Sequence, residues 1–355
     1  MHARSLLVGG VMLTTLITSA CQGGPGLRRS TDLSTGETVW RLDWGDDGGS
    51  ELLDEVAYAS AETADPLAGD VQLKQVTSLG PKTHLLSFDV DPQRSQILMS
   101  VLDGIEGRSQ KPFANVWLAS VDSADGRKTR ITEGQHLDLT PTFASGGAIL
   151  FASNRVGQTL SIFRQQLTGG GGVQLITGQS SQDIWPQVDP ATGQLLFTQV
   201  RSASTGNGIL WVRPMEGGAP TQVGEGSGAR WSPDGKLLLY SSVDSASGNS
   251  HLWIRPIAGG QQMQITHGDH NDVNPSWSPD GSMIVFASDR ARTADGQPNY
   301  DIWLMEVQGG APRRLTANES LDDTPRWLDS ETVLFRSNRG REWNIWSLKV
   351  SQAGE

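Results

Sequence analysis

Cysteine is nearly absent from this chain: one, Cys21, stands among 355 residues. No intramolecular disulfide can form, so the core must hold the fold, and a chain this long can bury a large one without staples. Helical periodicity is scarce too. After residue 70 the apolar residues fall in short blocks rather than at helical spacing, which argues against a helical bundle. No G-x-S-x-G occurs. The nearest Ser-Gly pairs, ASGG (144–147) and EGSGA (225–229), lack a strand-to-helix elbow, so a serine hydrolase has no anchor. Positive charge is short: 28 Lys and Arg face 39 Asp and Glu, a net charge of −11. No basic patch argues for nucleic acid. The apolar run Leu6 to Ile17 is too short, and too near the end, for a permanent membrane helix.

What the chain does have is repetition. Trp-Ser-Pro-Asp-Gly occurs at 231–235 and again at 277–281, 46 positions apart. Pro presets the second position of a type I turn, Asp tolerates the third and can accept backbone N–H groups, and Gly closes the turn in the left-handed region. The runs that follow, Leu237–Tyr240 and Met283–Ala287, are apolar without alternation, as in strands buried on both faces. A second mark lies about 30 residues further on, a small cluster, an apolar residue and Thr: 309–316, 259–266, 171–177 and 125–132, with Gly224 in the Thr place at 217–224. A strand with an aromatic at a fixed place precedes each cluster: Trp117, Phe163, Trp211, Trp253 and Trp303, with Trp346 in the last unit.

Six units result, near 83–132, 135–177, 182–224, 225–266, 269–316 and 320–350. The last lacks its final strand, and a spare copy, Val71 to Thr77, precedes the first. The expected fold is all-β: a six-bladed β-propeller of four-stranded blades over residues 71–350, about 47 residues per blade, closed by strand 71–77.

Residues 1–20 read as a signal peptide: Arg4, the apolar run, then Thr18-Ser19-Ala20-Cys21. Small residues before a lone Cys resemble a bacterial lipobox, which implies diacylglycerol on Cys21 and a membrane anchor. Gln22, not Asp, resembles sorting to the outer membrane. The alternative is an ordinary signal peptide with an incidental cysteine. The segment 21–70 carries most of the net negative charge: residues 31–70 hold eleven Asp and Glu against Arg41. As a tether, 22–70 spans roughly 35–42 Å. Yet TVWRLDW (38–44) alternates like a strand, and Leu52, Leu53, Val56 and Ala59 sit near helical spacing, as in a docked segment. Both readings stand.

The repeat D-x-x-P-x-W-S-P-D-G … F-x-S-[DN]-R … I-W … G-G-x-x-x-x-L-T, spelled most fully from Asp272 to Thr316, resembles the WD40-like PD40 repeat of TolB-type periplasmic propellers. The resemblance covers about 280 residues. It implies a non-enzymatic envelope protein whose channel mouth contacts a protein such as a peptidoglycan-associated lipoprotein. It implies neither cofactor nor nucleic acid, and a monomer is expected. Two departures stand out: the leader before the propeller is short, and a lipid anchor is not a TolB feature.

Four units place Asp three residues before the first-strand Pro: Asp138, Asp183, Asp272 and Asp322. Leu85 and Gly226 take that place in the other two. First strands line a propeller's channel, so these carboxylates form a candidate acidic rim for a cation or a basic partner. The plainer reading is four local turn caps. Asn154-Arg155, Asp289-Arg290 and Asn338-Arg339 read as turn residues with an outward Arg. His267-x-x-His270 near Asp272 is a weak metal pattern. It carries the alternative function, a periplasmic carbohydrate-active, lyase-like enzyme with a metal at the channel.

Overall fold

The computed structural model describes residues 27–31, 38–43, 50–52 and 73–350, the last apart from 81–82, 92, 94, 107–110, 123–126, 158, 169–171, 179–180, 201–206, 293–295 and 297–298. The signal segment, Cys21 and most of the acidic leader lie outside the described residues. Within the leader, β1 (Leu27–Thr31), β2 (Thr38–Asp43) and β3 (Ser50–Leu52) form a three-stranded antiparallel sheet. The alternation around Trp40 becomes β2. Glu51 and Leu52 pair with Leu42 and Arg41, whereas Leu53, Val56 and Ala59 lie outside the described residues.

β4 (Leu73–Gln75) precedes five sheets. β5 (His84–Asp91), β6 (Gln96–Glu106), β7 (Lys111–Ser120) and β8 (Lys128–Arg130) make one. β9 (Asp138–Ala144), β10 (Ala148–Ser153), β11 (Ser161–Gln166) and β12 (Gln174–Leu175) make the next. A seven-stranded sheet holds β13 (Gln182–Val188), β14 (Leu195–Val200), β15 (Gly208–Arg213), β16 (Thr221–Trp231), β17 (Leu237–Val243), β18 (Ser250–Pro256) and β19 (Met263–Gln264). β20 (Asp272–Trp277), β21 (Met283–Ser288), β22 (Asp301–Glu306) and β23 (Arg313–Arg314) follow. The last sheet orders β24 (Asp322–Trp327), β25 (Thr332–Ser337), β26 (Asn344–Lys349) and then β4. The architecture is all-β and propeller-like. Among the described residues the only helices are single 3-10 turns at Ser145–Gly147 and Arg339–Arg341.

The sequence predicts six separate four-stranded sheets. Four are separate, and the third and fourth units share one seven-stranded sheet. The cause is a short connection. From the Thr that ends a unit to the residue that opens the next is six positions at Thr132–Asp138, Thr177–Asp183, Thr266–Asp272 and Thr316–Asp322; from Gly224 to Gly226 it is two. No loop fits, so β16 runs straight through. Its residues up to Gly226 pair with β15, and from Ser227 they pair with β17. Gly226 permits this: a Cβ there would lie 2.4 Å from the Ser241 carbonyl oxygen and 2.6 Å from the Tyr240 ring.

Each unit's second strand is its apolar centre. β10 is buried at all six residues, and Ile284–Ala287 and Val333–Phe335 match it. Neighbouring sheets interlock through these strands, as where Val285 and Leu304 pack with Trp327, Val333 and Phe335. Each fully buried Leu, Ile or Phe contributes about 1.5–3 kcal/mol. The repeated turn behaves as its residues dictate. Asp234 Oδ1 accepts Ser232 Oγ (2.7 Å) and Lys236 N (3.1 Å); Asp280 Oδ1 accepts Ser278 Oγ (2.5 Å) and Ser282 N (3.0 Å). Gly235 and Gly281 close the turns at φ 71° and 74°. These hydrogen bonds hold the Asp280 carboxyl down at about 2.

The innermost strands β5, β9, β13, the end of β16, β20 and β24 pack in succession, and β24 returns beside β5. The seam is tied twice. β4 pairs with β26 in the register Trp346↔Gln75, with Ile345 N donating to Thr77 Oγ1 at 2.9 Å. The buried Arg336 donates to the carbonyls of Leu85 (2.8 Å) and Leu86 (2.9 Å) while its Nε meets Asp323 (2.7 Å).

Candidate functional site

The four aspartates do not form an open rim. The side chains of Asp138, Asp272 and Asp322 are fully buried and each holds the arginine that follows the second strand of its own unit. Arg155 Nη2 meets Asp138 at 2.8 Å, Arg290 Nη2 meets Asp272 at 2.7 Å, and Arg339 pairs with Asp322. These are the arginines that the sequence reads as outward; they point inward. Each Nε donates to the Ser two residues earlier, at 3.1, 3.0 and 3.0 Å from Ser153, Ser288 and Ser337. Each guanidinium lies over two aromatic rings: Phe151 and Phe163, Phe286 and Trp303, Phe335 and Trp346. Asn154 and Asn338 do serve the turns, accepting from Leu137 N and Leu321 N at 2.8 Å. The F-x-S-[DN]-R motif thus builds a buried ion pair inside the blade. For Asp183 the arginine at the equivalent place, Arg201, lies outside the described residues. Asp183 is buried, accepts Ser181 Oγ at 2.8 Å, and burial pushes its carboxyl upward.

The histidines separate. His267 is exposed. His270 lies against Asp272 (Nε2–Oδ2 3.4 Å) and edge-on to His251, with ring centroids 6.2 Å apart. Neither His267 nor His270 is among the residues lining the axial cavity. No group of three His, Cys, Asp or Glu among the described residues is arranged to hold a metal. Burial first, then the neighbouring His270 and His267, lower the His251 imidazole, with Asp272 and Asp244 pulling the other way.

The axis itself carries two rings that no single motif announced. All six innermost strands shift register at one level. The residue before Pro141, Pro186, Pro275 and Pro325 is left-handed there: Thr140 (φ 47°), Trp185 (51°), Asn274 (54°) and Thr324 (52°), with Gly228 (60°) equivalent. A non-glycine residue in this region costs about 1–3 kcal/mol, and the following proline disfavours it further. Hydrogen bonds step around the ring: Thr140 N donates to Ser87 Oγ (3.2 Å) and Trp185 N to Thr140 Oγ1 (3.1 Å).

Two residues further along each strand comes the second ring: Asp89, Thr142, Gln187, Arg230, Ser276 and Arg326. Of these, Gln187, Arg230 and Arg326 line the axial cavity. Arg230 Nη1 bridges Gln187 Oε1 (2.8 Å) and Asp89 Oδ1 (3.1 Å). Asp89 Oδ2 takes Thr142 Oγ1 at 2.7 Å. Arg326 Nη1 donates to Pro325 O at 2.7 Å, but its Nε, 3.8 Å from Asp89 Oδ1, is buried without a hydrogen-bond partner. Burial, then the Arg230 charge, hold the Arg326 guanidinium well below its usual value. The sequence signal for this ring is the variable position between the fixed Pro and Trp, occupied by Arg230 and Arg326 in two units. It is invisible until the fold shows which way that position faces.

The comparisons agree with this architecture. The model of the TolB beta propeller domain, PD40, matches residues 204–295. A protein from Agrobacterium tumefaciens assigned as TolB superposes with a TM-score of 0.53 at 20% identity, over 64% of this chain and 82% of that one. TolB from Acinetobacter baumannii gives 0.54 at 21%, over 74% of this chain and 65% of that one, so the match spans just under two thirds of that protein. An oligogalacturonate lyase in complex with manganese gives 0.46 at 12%, over 93% and 97%, a likeness too low to weigh for function. No curated protein matches the sequence. The chain is similar in sequence repeat and in fold to TolB-type PD40 propellers.

Proposed function

We propose that the chain is a non-catalytic binding propeller of the cell envelope, acting at the mouth of its axial channel. The observation that carries this reading is the polar cavity on a closed, strained frame: six strands converge on one narrow opening lined by hydroxyl, carboxamide and guanidinium groups. Backbone strain repeated around one axis marks a surface held to shape, as binding sites require. In this reading the seven-stranded sheet counts as two blades that share β16, which makes a six-bladed ring. The signal segment directs export, Cys21 carries the lipid, and the outer membrane holds the protein. The partner is a protein of the envelope, of which a peptidoglycan-associated lipoprotein is the kind that the TolB likeness suggests. The buried aspartates stabilise blades in this scheme, and the contact surface moves inward to the second ring.

The lyase-like alternative needs a metal at the channel held by His267 and His270. Their placement, one on the surface and one against Asp272 within its sheet, does not favour it. Metal analysis of the purified protein separates the readings: the binding reading expects no stoichiometric divalent ion, whereas one bound ion that His270→Ala removes supports the enzyme. For the binding reading itself, cross-linking in intact cells should trap a discrete envelope protein.

A further inference from the structure

We propose that the channel seats a carboxylate, the acidic side chain of an extended peptide, between the Arg230 and Arg326 guanidiniums. The proposal deepens the binding reading and rests on it. It also reverses the charge of the partner that the aspartates suggested.

The ring is electrically uneven: two guanidiniums face one carboxylate. Asp89 is already occupied. Its Oδ1 is held by Arg230, and its Oδ2 by Thr142 Oγ1 at 2.7 Å and Phe143 N at 3.4 Å. Arg326 Nε, at 3.8 Å, lies beyond hydrogen-bond reach of it. A buried N–H of a charged group without an acceptor is costly. An oxygen arriving from the channel supplies the missing acceptor, and its charge relieves the repulsion between the arginines.

Size limits what can arrive. The cavity offers about 40 Å³ to the centre of a water-sized sphere and is lined by all six innermost strands. One water needs roughly 10–15 Å³ on that measure, so a few waters or one small planar group fit, and a sugar ring does not. A carboxylate is planar and matches the guanidinium fork. Trp185 and Asn274 on the wall offer the rest of a thin chain an apolar face and a carboxamide.

The test is calorimetric titration of the purified full-length protein with three probes: capped Gly-Gly-Glu-Gly-Gly, its Gln counterpart, and inorganic phosphate. The proposal expects saturable binding of the Glu peptide and binding of the Gln peptide at least about tenfold weaker, the scale of one charge-assisted contact. Arg326→Met should weaken the Glu peptide by a similar factor. Arg326→Lys, which keeps the charge and loses the fork, should fall between. Asp89→Asn should tighten binding, because it removes the competing carboxylate; a purely structural Asp89 would give no gain. Equal binding of the Glu and Gln peptides, indifference to both Arg326 changes, or binding of phosphate alone overturns the proposal. Defined peptides make this independent of the natural partner. If the titration fails while cross-linking still traps a protein, the carboxylate is wrong and the binding reading stands.

Discussion

Arg155 was expected at the surface and is found in the blade, 2.8 Å from a fully buried carboxylate. Removing it leaves Asp138 charged and unpaired. Arg155→Met should therefore destabilise the fold by about 3–5 kcal/mol, read as a lower urea midpoint. An Asp138→Asn, Arg155→Met double variant should recover part of that loss. His251 makes a prediction of opposite kind. Burial holds its folded value below the unfolded one, so as pH falls through about 6.5 the unfolded chain takes the proton first and stability declines. His251→Asn, the residue that Asn115 and Asn344 provide at the same place in other units, should make the loss between pH 7.5 and 5.5 shallower. An unchanged slope would show that His251 is not its source.

At the level of strands, β16 and β4 carry the tests. Gly226→Ala forces a Cβ against the Ser241 carbonyl, a backbone atom that cannot swing away, and should cost about 1–3 kcal/mol. The same change at exposed Gly248, where nothing lies near the new atom, controls for overpacking. Deleting residues 22–60 should leave the closing strand intact. Deleting 22–78 removes β4 and bares the edge of β26, so the amides that face it, those of Ile345 and Ser347, should exchange far faster. The strands themselves were legible because Pro-Asp-Gly turns and unbroken apolar runs leave few alternatives, and the missing last strand pointed to β4. The fusion through β16 was not, although the missing four residues before Gly226 were countable, because length alone does not say whether a loop shortens or a strand runs on. The aspartates were found in the right strands and given the wrong exposure. Sequence spacing places a residue along a strand, but the inward or outward sense of the arginines depends on aromatic rings contributed by two further strands.

Across the whole molecule, six similar units place unlike residues at one level of one axis: two arginines, one aspartate and three neutral polar groups. Repetition supplies the frame, and variation at a single position supplies the chemistry. In the binding reading that division puts the contact at the channel, where the units differ, and leaves the repeated Asp–Arg pairs inside the blades. The most direct measurement replaces Trp185, on the channel wall, with a photoreactive residue in cells and irradiates them intact. The binding account predicts one discrete protein adduct that Arg326→Met diminishes, while the same photoreactive residue at exposed Val156 gives none. A channel position that yields no adduct, or only the smear also seen from Val156, contradicts it.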